Sequence, residues 1–180
     1  ASNLGDFWKI AEDTAEEYGQ TVNRSDWRIV LHVHLADTKK EAMDQAREKS
    51  AAYQYDYFHQ TMGLPFEYEG PREKIVDYMV SNGAWCVGTP DDLISKIQEL
   101  YDLSGGFGGF MIQSTEWGTR EQVKHSYELI ARYVMPHFQN SLRNLTTSQK
   151  WSEEHAGELL SLRETSIDKA NSDYKNSQNS

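Results

Sequence analysis

The chain has 180 residues, of which 38% are hydrophobic and 26% charged, a composition typical of a globular domain with its own core. Its formal net charge of -10 argues against a nucleic-acid partner, because proteins that bind phosphate backbones concentrate Lys and Arg. Cys86 is the single cysteine, which excludes an internal disulfide, and the His residues show no close zinc-ligand spacing. No apolar run approaches the roughly 20 residues that span a bilayer, so we expect a cytoplasmic protein without a membrane partner.

The first predicted element is an amphipathic helix from Leu4 to Tyr18, in which apolar residues recur at steps of three and four and which Gly19 ends. The chain begins at Ala1 rather than at a Met, close to this helix, and we therefore expect it to be a piece of a longer protein. The following segment, 27–36, is nearly continuous in its apolar character, which indicates a strand buried on both faces, as in a parallel sheet.

Three strand-to-helix units follow one another, and each helix is predicted to begin at a Thr that is followed three residues later by an acid or an amide. The pairs are Thr38 and Glu41, Thr89 and Asp92, and Thr119 and Gln122, after predicted strands at 27–36, 84–87 and 110–113. The first of these helices is expected to run to about Met62. The predicted inner faces of the other two are Leu93, Ile97, Leu100 and Leu103, and Val123, Tyr127, Ile130 and Val134. Repeated units of this kind imply parallel strands joined by right-handed crossovers.

Three parallel strands cannot close a sheet by themselves, because both edges and much of both faces stay open. The predicted fold class is therefore α/β, the C-terminal part of a (β/α)8 barrel with about three parallel strands and flanking helices, whose other strands come from an N-terminal half or another chain. A small open sheet is the alternative. Residues 1–139 are assigned to the barrel and residues 140–180 to a helical, partly flexible tail that frays after about Tyr174.

Several segments together resemble the C-terminal end of the bacterial-luciferase-like flavin-dependent monooxygenases. They are the helix start V-G-T-P-D-D at 87–92, the turn S-G-G-F at 104–107 and the run Y-E-L-I-A-R-Y-V-M-P-H-F at 127–138. Their order also fits, and the resemblance covers about Leu4 to Gln139. The tail is similar only to a narrower group, the limonene- or alkane-monooxygenase-like members. The helix start alone is weak evidence, since it is good capping chemistry in any βα protein.

The resemblance implies an enzyme that uses reduced FMN and O2 to insert oxygen into a small apolar organic substrate, with a flavin reductase as the supplier of reduced flavin. A deazaflavin in place of FMN is not excluded by the residues in view. Members commonly form dimers, so a homo- or hetero-oligomer is expected. The family's main flavin-phosphate and catalytic residues lie on earlier strands, which leaves the catalytic and cofactor-binding residues of this chain unknown. A non-catalytic barrel subunit, or a truncated relative acting as a partner of a flavoenzyme, is the second hypothesis.

The candidate site residues lie on the strands or just after them. His32 and His34 alternate along the first strand and so share one side of the sheet, where they could bind flavin, peroxide or substrate, or simply be packed histidines. The predicted substrate-pocket residues are Trp85, Gln113, Ser114, Glu116 and Trp117, which could line the pocket rim or, for the two Trp residues, fill the core. Asp37 and Glu116 could also be read as a glycosidase carboxylate pair, which nothing else supports.

Three other features have simpler interpretations. Cys86 is predicted to be an inert small hydrophobe, because no cation lies near it in the sequence. The glycines of 105–109 precede a strand rather than a helix and predict a tight turn rather than a phosphate site. The aromatic cluster of Tyr53, Tyr55, Tyr57 and Phe58 is predicted to be core or a subunit contact.

Overall fold

A computed structural model describes residues 3–139 and 143–178 of the chain. The chain divides into two compact units, Ala1–His137 and Phe138–Ser180. In chain order the elements are α1 (Leu4–Glu17), β1 (Arg28–Leu35), α2 (Lys39–Ala51), α3 (Ile75–Ser81), β2 (Trp85–Gly88), α4 (Pro90–Ser104), β3 (Gly109–Gln113), α5 (Arg120–Leu129), α6 (Met135–Phe138), α7 (Arg143–Glu154) and α8 (Ala156–Gln178). In the second unit α7 and α8 pack against each other, and α8 runs past Tyr174.

Two helices continue as π-helices, in which each amide bonds to the carbonyl five residues back. The segment Ala52–Thr61 extends α2, so that the helical run ends close to the predicted Met62. The segment Ile130–Val134 links α5 to α6. Short 3-10 turns at Arg24–Asp26 and Arg72–Lys74 precede β1 and α3.

The three strands form one parallel sheet in the order β2-β1-β3, which confirms the predicted parallel strands with flanking helices. In a (β/α)8 barrel consecutive strands are neighbours, whereas here β3 pairs with β1 and not with β2. The lengths of the strands fit this order. The eight-residue β1 is the longest and most continuously apolar strand, and the central position gives it a hydrogen-bonding partner on both edges. The shorter β2 and β3 then form the edges.

Helices lie on both faces of this sheet, because the crossovers from β1 to β2 and from β2 to β3 run in opposite directions. On one face α4 and α5 cover the alternate β1 residues Ile29, Leu31, Val33 and Leu35. On the other face α2 and α3 cover Trp85 and Val87. Coverage of this second face is incomplete: Val30 and Met111, which are partners in the register, are each 47% exposed.

The predicted helix caps are largely confirmed. Thr89 Oγ1 accepts from the amide of Asp92 at 3.3 Å, while the Asp92 carboxylate accepts from the amide of Thr89 at 2.9 Å. Thr119 and Gln122 form the same reciprocal pair. The cap at the start of α2 is only half formed. Thr38 accepts from the amide of Glu41, but the Glu41 carboxylate accepts from Gln45 instead. These caps place the start of each helix just after its strand.

The predicted inner faces of α4 and α5 are wrong at one residue each. Leu93, Ile97 and Leu100 are buried as predicted, but Leu103 is 48% exposed. In α5 the residue facing the core is Ser126, whereas Tyr127 is 41% exposed. A helical repeat of 3.6 residues leaves neighbouring positions 100° apart, so apolar character alone did not decide between them.

Ser126 completes the hydrogen bonding of β1 at the point where β3 has ended. Its hydroxyl accepts from the backbone amide of Leu35 at 2.9 Å, and both groups are buried. The last pair between β1 and β3 is His32 with Gln113, so β3 supplies no acceptor at the level of Leu35. The side chain on α5 therefore substitutes for a neighbouring strand.

Replacing Ser126 with Ala is expected to lower the free energy of unfolding by about 1–3 kcal/mol, because a buried amide loses its acceptor. The measurement is the midpoint of urea unfolding. Ser95→Ala is the matched control, since Ser95 lies on the exposed face of α4, and it is expected to leave the midpoint nearly unchanged. Equal midpoints for the two variants would contradict the role of Ser126.

Candidate functional site

Three of the predicted site residues lie at one level across the sheet. In the strand register, His32 of β1 is the partner of Trp85 on β2 and of Gln113 on β3. Partners in parallel strands point to the same face, so these side chains share the face that also carries Val30 and Met111. This row of three side chains lies at the carboxyl end of β3 but in the middle of β1, which continues for three more residues to Leu35.

The imidazole of His32 is enclosed by aromatic rings. It stacks on the Trp117 ring with a centroid distance of 5.7 Å and an interplanar angle of 7°, and the edge of Tyr53 lies 5.3 Å away. Its Nε2 atom is 3.0 Å from the Tyr53 hydroxyl. Burial lowers the pKa of His32, so the ring is neutral near pH 7.

Tyr53 is a site residue that the sequence analysis missed. Its hydroxyl accepts from Gln113 Nε2 at 3.1 Å and also contacts His32, so it bridges β1 and β3. Burial raises the pKa of Tyr53, which keeps the phenol protonated. Its position in the π-helical segment is a feature that often marks functional sites, but the sequence alone did not reveal a π-helix there.

His34 has different surroundings from His32, although both lie on the same face. It is 1% exposed, and its Nε2 is 2.9 Å from the side-chain oxygen of Gln45 on α2. Because that oxygen only accepts, the proton of His34 is on Nε2. Burial lowers the pKa of His34, and the bond to Gln45 opposes this. The structure places His34 as a packed, hydrogen-bonded histidine with no access to a ligand.

Trp85 and Trp117 pack on each other, and Trp85 also lines an open cleft of about 480 Å³ between the ends of α3 and α4. They are 3% and 2% exposed, and their ring centroids are 4.4 Å apart. Within the described residues the indole N–H of Trp117 is buried without a hydrogen-bond partner. The same holds for the hydroxyl of Thr115 in the same loop.

The remaining rim candidates are exposed. Gln113, Ser114 and Glu116 all have solvent-accessible side chains. Glu116 borders an open cleft of about 330 Å³ whose other lining residues are Lys49, Gly118, Arg120 and Val123. The glycosidase interpretation gains no support, because the Asp37 carboxylate lies 3.2 Å from His125 Nε2.

FMN is the cofactor that the resemblance implies, and the described residues fit it poorly. A flavin needs a flat slot for its ring and N–H or cationic donors for its phosphate. Near the starts of α4 and α5 the amides of Asp92 and Gln122 are already bonded to the capping side chains of Thr89 and Thr119, and the two Trp rings pack directly on each other. These residues alone therefore do not build a flavin site.

Other site chemistry is limited as well. Burial, with a smaller effect from Asp92, raises the pKa of Cys86 to about 12, so its thiol stays protonated and unreactive. Within residues 3–139 and 143–178, no group of three or more His, Cys, Asp and Glu side chains is arranged to hold a metal ion. The helices of this same part of the chain include none that is both long and apolar enough to cross a membrane.

The unpaired N–H of Trp117 leads to a prediction about two substitutions. Trp117→Ala is expected to lower the free energy of unfolding by about 3–5 kcal/mol, because it leaves a cavity between His32 and Trp85. Trp117→Phe is expected to cost less than half as much, since it keeps an aromatic ring and removes an N–H that bonds to nothing. Urea unfolding followed by circular dichroism measures both.

The exposed Trp151 provides the control, and Trp151→Phe is expected to leave the unfolding of the sheet unchanged. If the Phe and Ala variants of Trp117 are equally destabilised, the indole N–H makes a bond and the description of this cluster is wrong.

Comparison with known proteins places these features in a family. No family model matches the chain. Limonene 1,2-monooxygenase from Rhodococcus erythropolis is 38% identical over 140 residues, which are 77% of this chain and 35% of that protein. For 4-hydroxyprotoasukamycin monooxygenase from Streptomyces nodosus subsp. asukaensis the identity is 33% over 149 residues, 83% of this chain and 40% of that protein. The chain therefore spans well under half the length of these relatives.

Solved structures give the same result. The oxygenating constituent of 3,6-diketocamphane monooxygenase from Pseudomonas putida, a type II Baeyer–Villiger monooxygenase in complex with FMN, matches 74% of this chain and 39% of its own, with a TM-score of 0.55 and 25% identity. A monooxygenase from Streptomyces bottropensis shares the fold, with a TM-score of 0.56 at 19% identity over 75% of this chain and 38% of its own. The chain belongs to the bacterial-luciferase-like family of flavin-dependent monooxygenases, of which it carries a C-terminal portion of the barrel.

Proposed function

We propose that this chain supplies the last strands and part of the substrate pocket of an FMN-dependent monooxygenase that uses reduced flavin and O2 to oxidise a small apolar organic molecule. The observation that carries the proposal is the similarity to two monooxygenases at 38% and 33% identity over 140 and 149 residues. The solved relative with FMN supports FMN rather than a deazaflavin. A flavin reductase would supply the reduced flavin, and the assembled enzyme would be a homo- or hetero-oligomer.

The face of the sheet around His32 has the composition of a pocket for an apolar molecule. Ligand pockets are lined mainly by apolar and aromatic side chains with a few polar groups that orient the ligand. Here Val30 and Met111 provide an exposed apolar surface, and His32 and Gln113 lie two residues further along their strands on the same face. We propose this surface as the substrate side, with Trp85 and Trp117 packed beneath it and Ser114 and Glu116 at its rim.

The flavin itself would be held by other strands of the barrel, because the described residues offer no flat slot for its ring. The same observation favours a second candidate function, a non-catalytic barrel subunit that acts as a partner of a flavoenzyme. The two hypotheses differ in whether a flavin site forms when the remaining strands are supplied.

The test is flavin binding by the chain alone and by the chain mixed with the part of the Rhodococcus limonene 1,2-monooxygenase that it does not match. After addition of FMN and gel filtration, the flavin absorbance is expected to co-elute with the mixture and with neither component alone. A single-chain chimaera, in which residues 4–139 replace the matched region of that enzyme, removes any dependence on spontaneous assembly and is expected to bind FMN and to oxidise limonene.

Flavin binding by the chain alone would show that the site has been placed on the wrong residues. If neither the mixture nor the folded chimaera binds FMN, the enzyme proposal fails and the non-catalytic function takes its place.

A further inference from the structure

One of the two hydrogen bonds of the Tyr53 hydroxyl has a defined direction. The Gln113 nitrogen can only donate, so the Tyr53 oxygen accepts there, at 3.1 Å. Its own O–H then has one partner among the residues that the structure describes, His32 Nε2 at 3.0 Å. For Nε2 to accept this proton, it must carry none of its own. The proton of the neutral imidazole is then on Nδ1.

The surroundings of His32 keep it neutral and hold its ring in place. The groups that face it are Tyr53 from the π-helical segment, Trp85 from β2 and Trp117 from the loop after β3. Gln113 from β3 reaches it through the Tyr53 hydroxyl. None of these side chains is charged near pH 7, so nothing favours the imidazolium form. The parallel stack on Trp117 fixes the plane of the ring, which fixes where Nδ1 points.

The Nδ1 atom of His32 is not fully buried. It makes no hydrogen bond to any residue within 3–139 or 143–178, and it is not among the buried atoms that lack a partner. It therefore reaches the surface. Val30 and Met111, two residues earlier on β1 and β3, are each 47% exposed and provide an apolar surface on the same face.

We infer that Tyr53 is a positioning residue that fixes His32 as the Nδ1–H tautomer, so that His32 donates a hydrogen bond to a carbonyl or hydroxyl oxygen of an otherwise apolar ligand. The tautomer is inferred from the hydrogen bonds of Tyr53, whereas the ligand rests on the proposed function. His34 is an internal reference, because its bond to Gln45 places its proton on the other nitrogen, Nε2.

The test is a two-bond ¹H–¹⁵N correlation spectrum of the imidazoles in the ¹⁵N-labelled full chain, which distinguishes the two tautomers directly. The wild type is expected to show His32 as Nδ1–H and His34 as Nε2–H. In Tyr53→Phe the His32 pattern is expected to change to Nε2–H or to a mixture, while His34 is unaffected. Tyr57→Phe is the control, because Tyr57 lies in the same segment and is 50% exposed, and it is expected to change neither histidine.

A wild-type spectrum with His32 as Nε2–H would overturn the inference without any variant, so the test does not depend on the folding of Tyr53→Phe. An unchanged His32 pattern in a folded Tyr53→Phe would overturn the role of Tyr53.

The ligand is tested by adding cyclohexanone or methylcyclohexane to the same sample. Cyclohexanone is expected to shift the His32 Nδ1 signal of the wild type and not that of Tyr53→Phe, whereas methylcyclohexane shifts neither. Equal shifts with both compounds, or none with either, would overturn the recognition of an oxygen atom. These spectra need no flavin. They can therefore contradict this inference while the flavin co-elution succeeds, and the flavin co-elution can fail while the spectra support this inference.

Discussion

The central position of β1 is the constraint on which the rest of the first unit depends. As the one strand with partners on both edges, it sets the register of β2 and β3, and its alternating side chains divide the interior into two parts. The apolar set beginning at Ile29 binds α4 and α5, while the opposite set carries both histidines. Where β3 ends, the hydroxyl of Ser126 takes over as acceptor for β1, so the strand keeps its hydrogen bonds up to its last residue.

The candidate site is a consequence of this register. His32, Trp85 and Gln113 are distant in sequence but lie at one level, and the π-helical extension of α2 brings Tyr53 onto the same row. The result is a neutral network of hydrogen bonds among aromatic rings, beside an open apolar surface. A site of this kind can orient an uncharged molecule, and it offers little to a phosphate or a metal ion.

Local chemistry made much of the fold predictable from the sequence. The Thr89 cap, for example, needs only residues within four positions of one another, and it marked both the end of a strand and the start of a helix. The strand order was not predictable, because it depends on which strands compete for the edges of β1. Tyr53 was missed because a π-helix departs from the 3.6-residue repeat on which the assignment of helical faces relies. Ser126 was missed because a Ser on a helix gives no sign of a bond to a distant strand.

Amide hydrogen exchange of the chain, followed residue by residue by NMR, tests the central role of β1 most directly. The amides from Leu31 to Leu35 are expected to be the slowest to exchange, because they open only when the sheet unfolds. The amide of Leu35 is expected to be as protected as those bonded to a neighbouring strand. If β1 exchanges as fast as the solvent-exposed helix α1, the sheet is not organised around this strand, and the arrangement of the candidate site loses its basis.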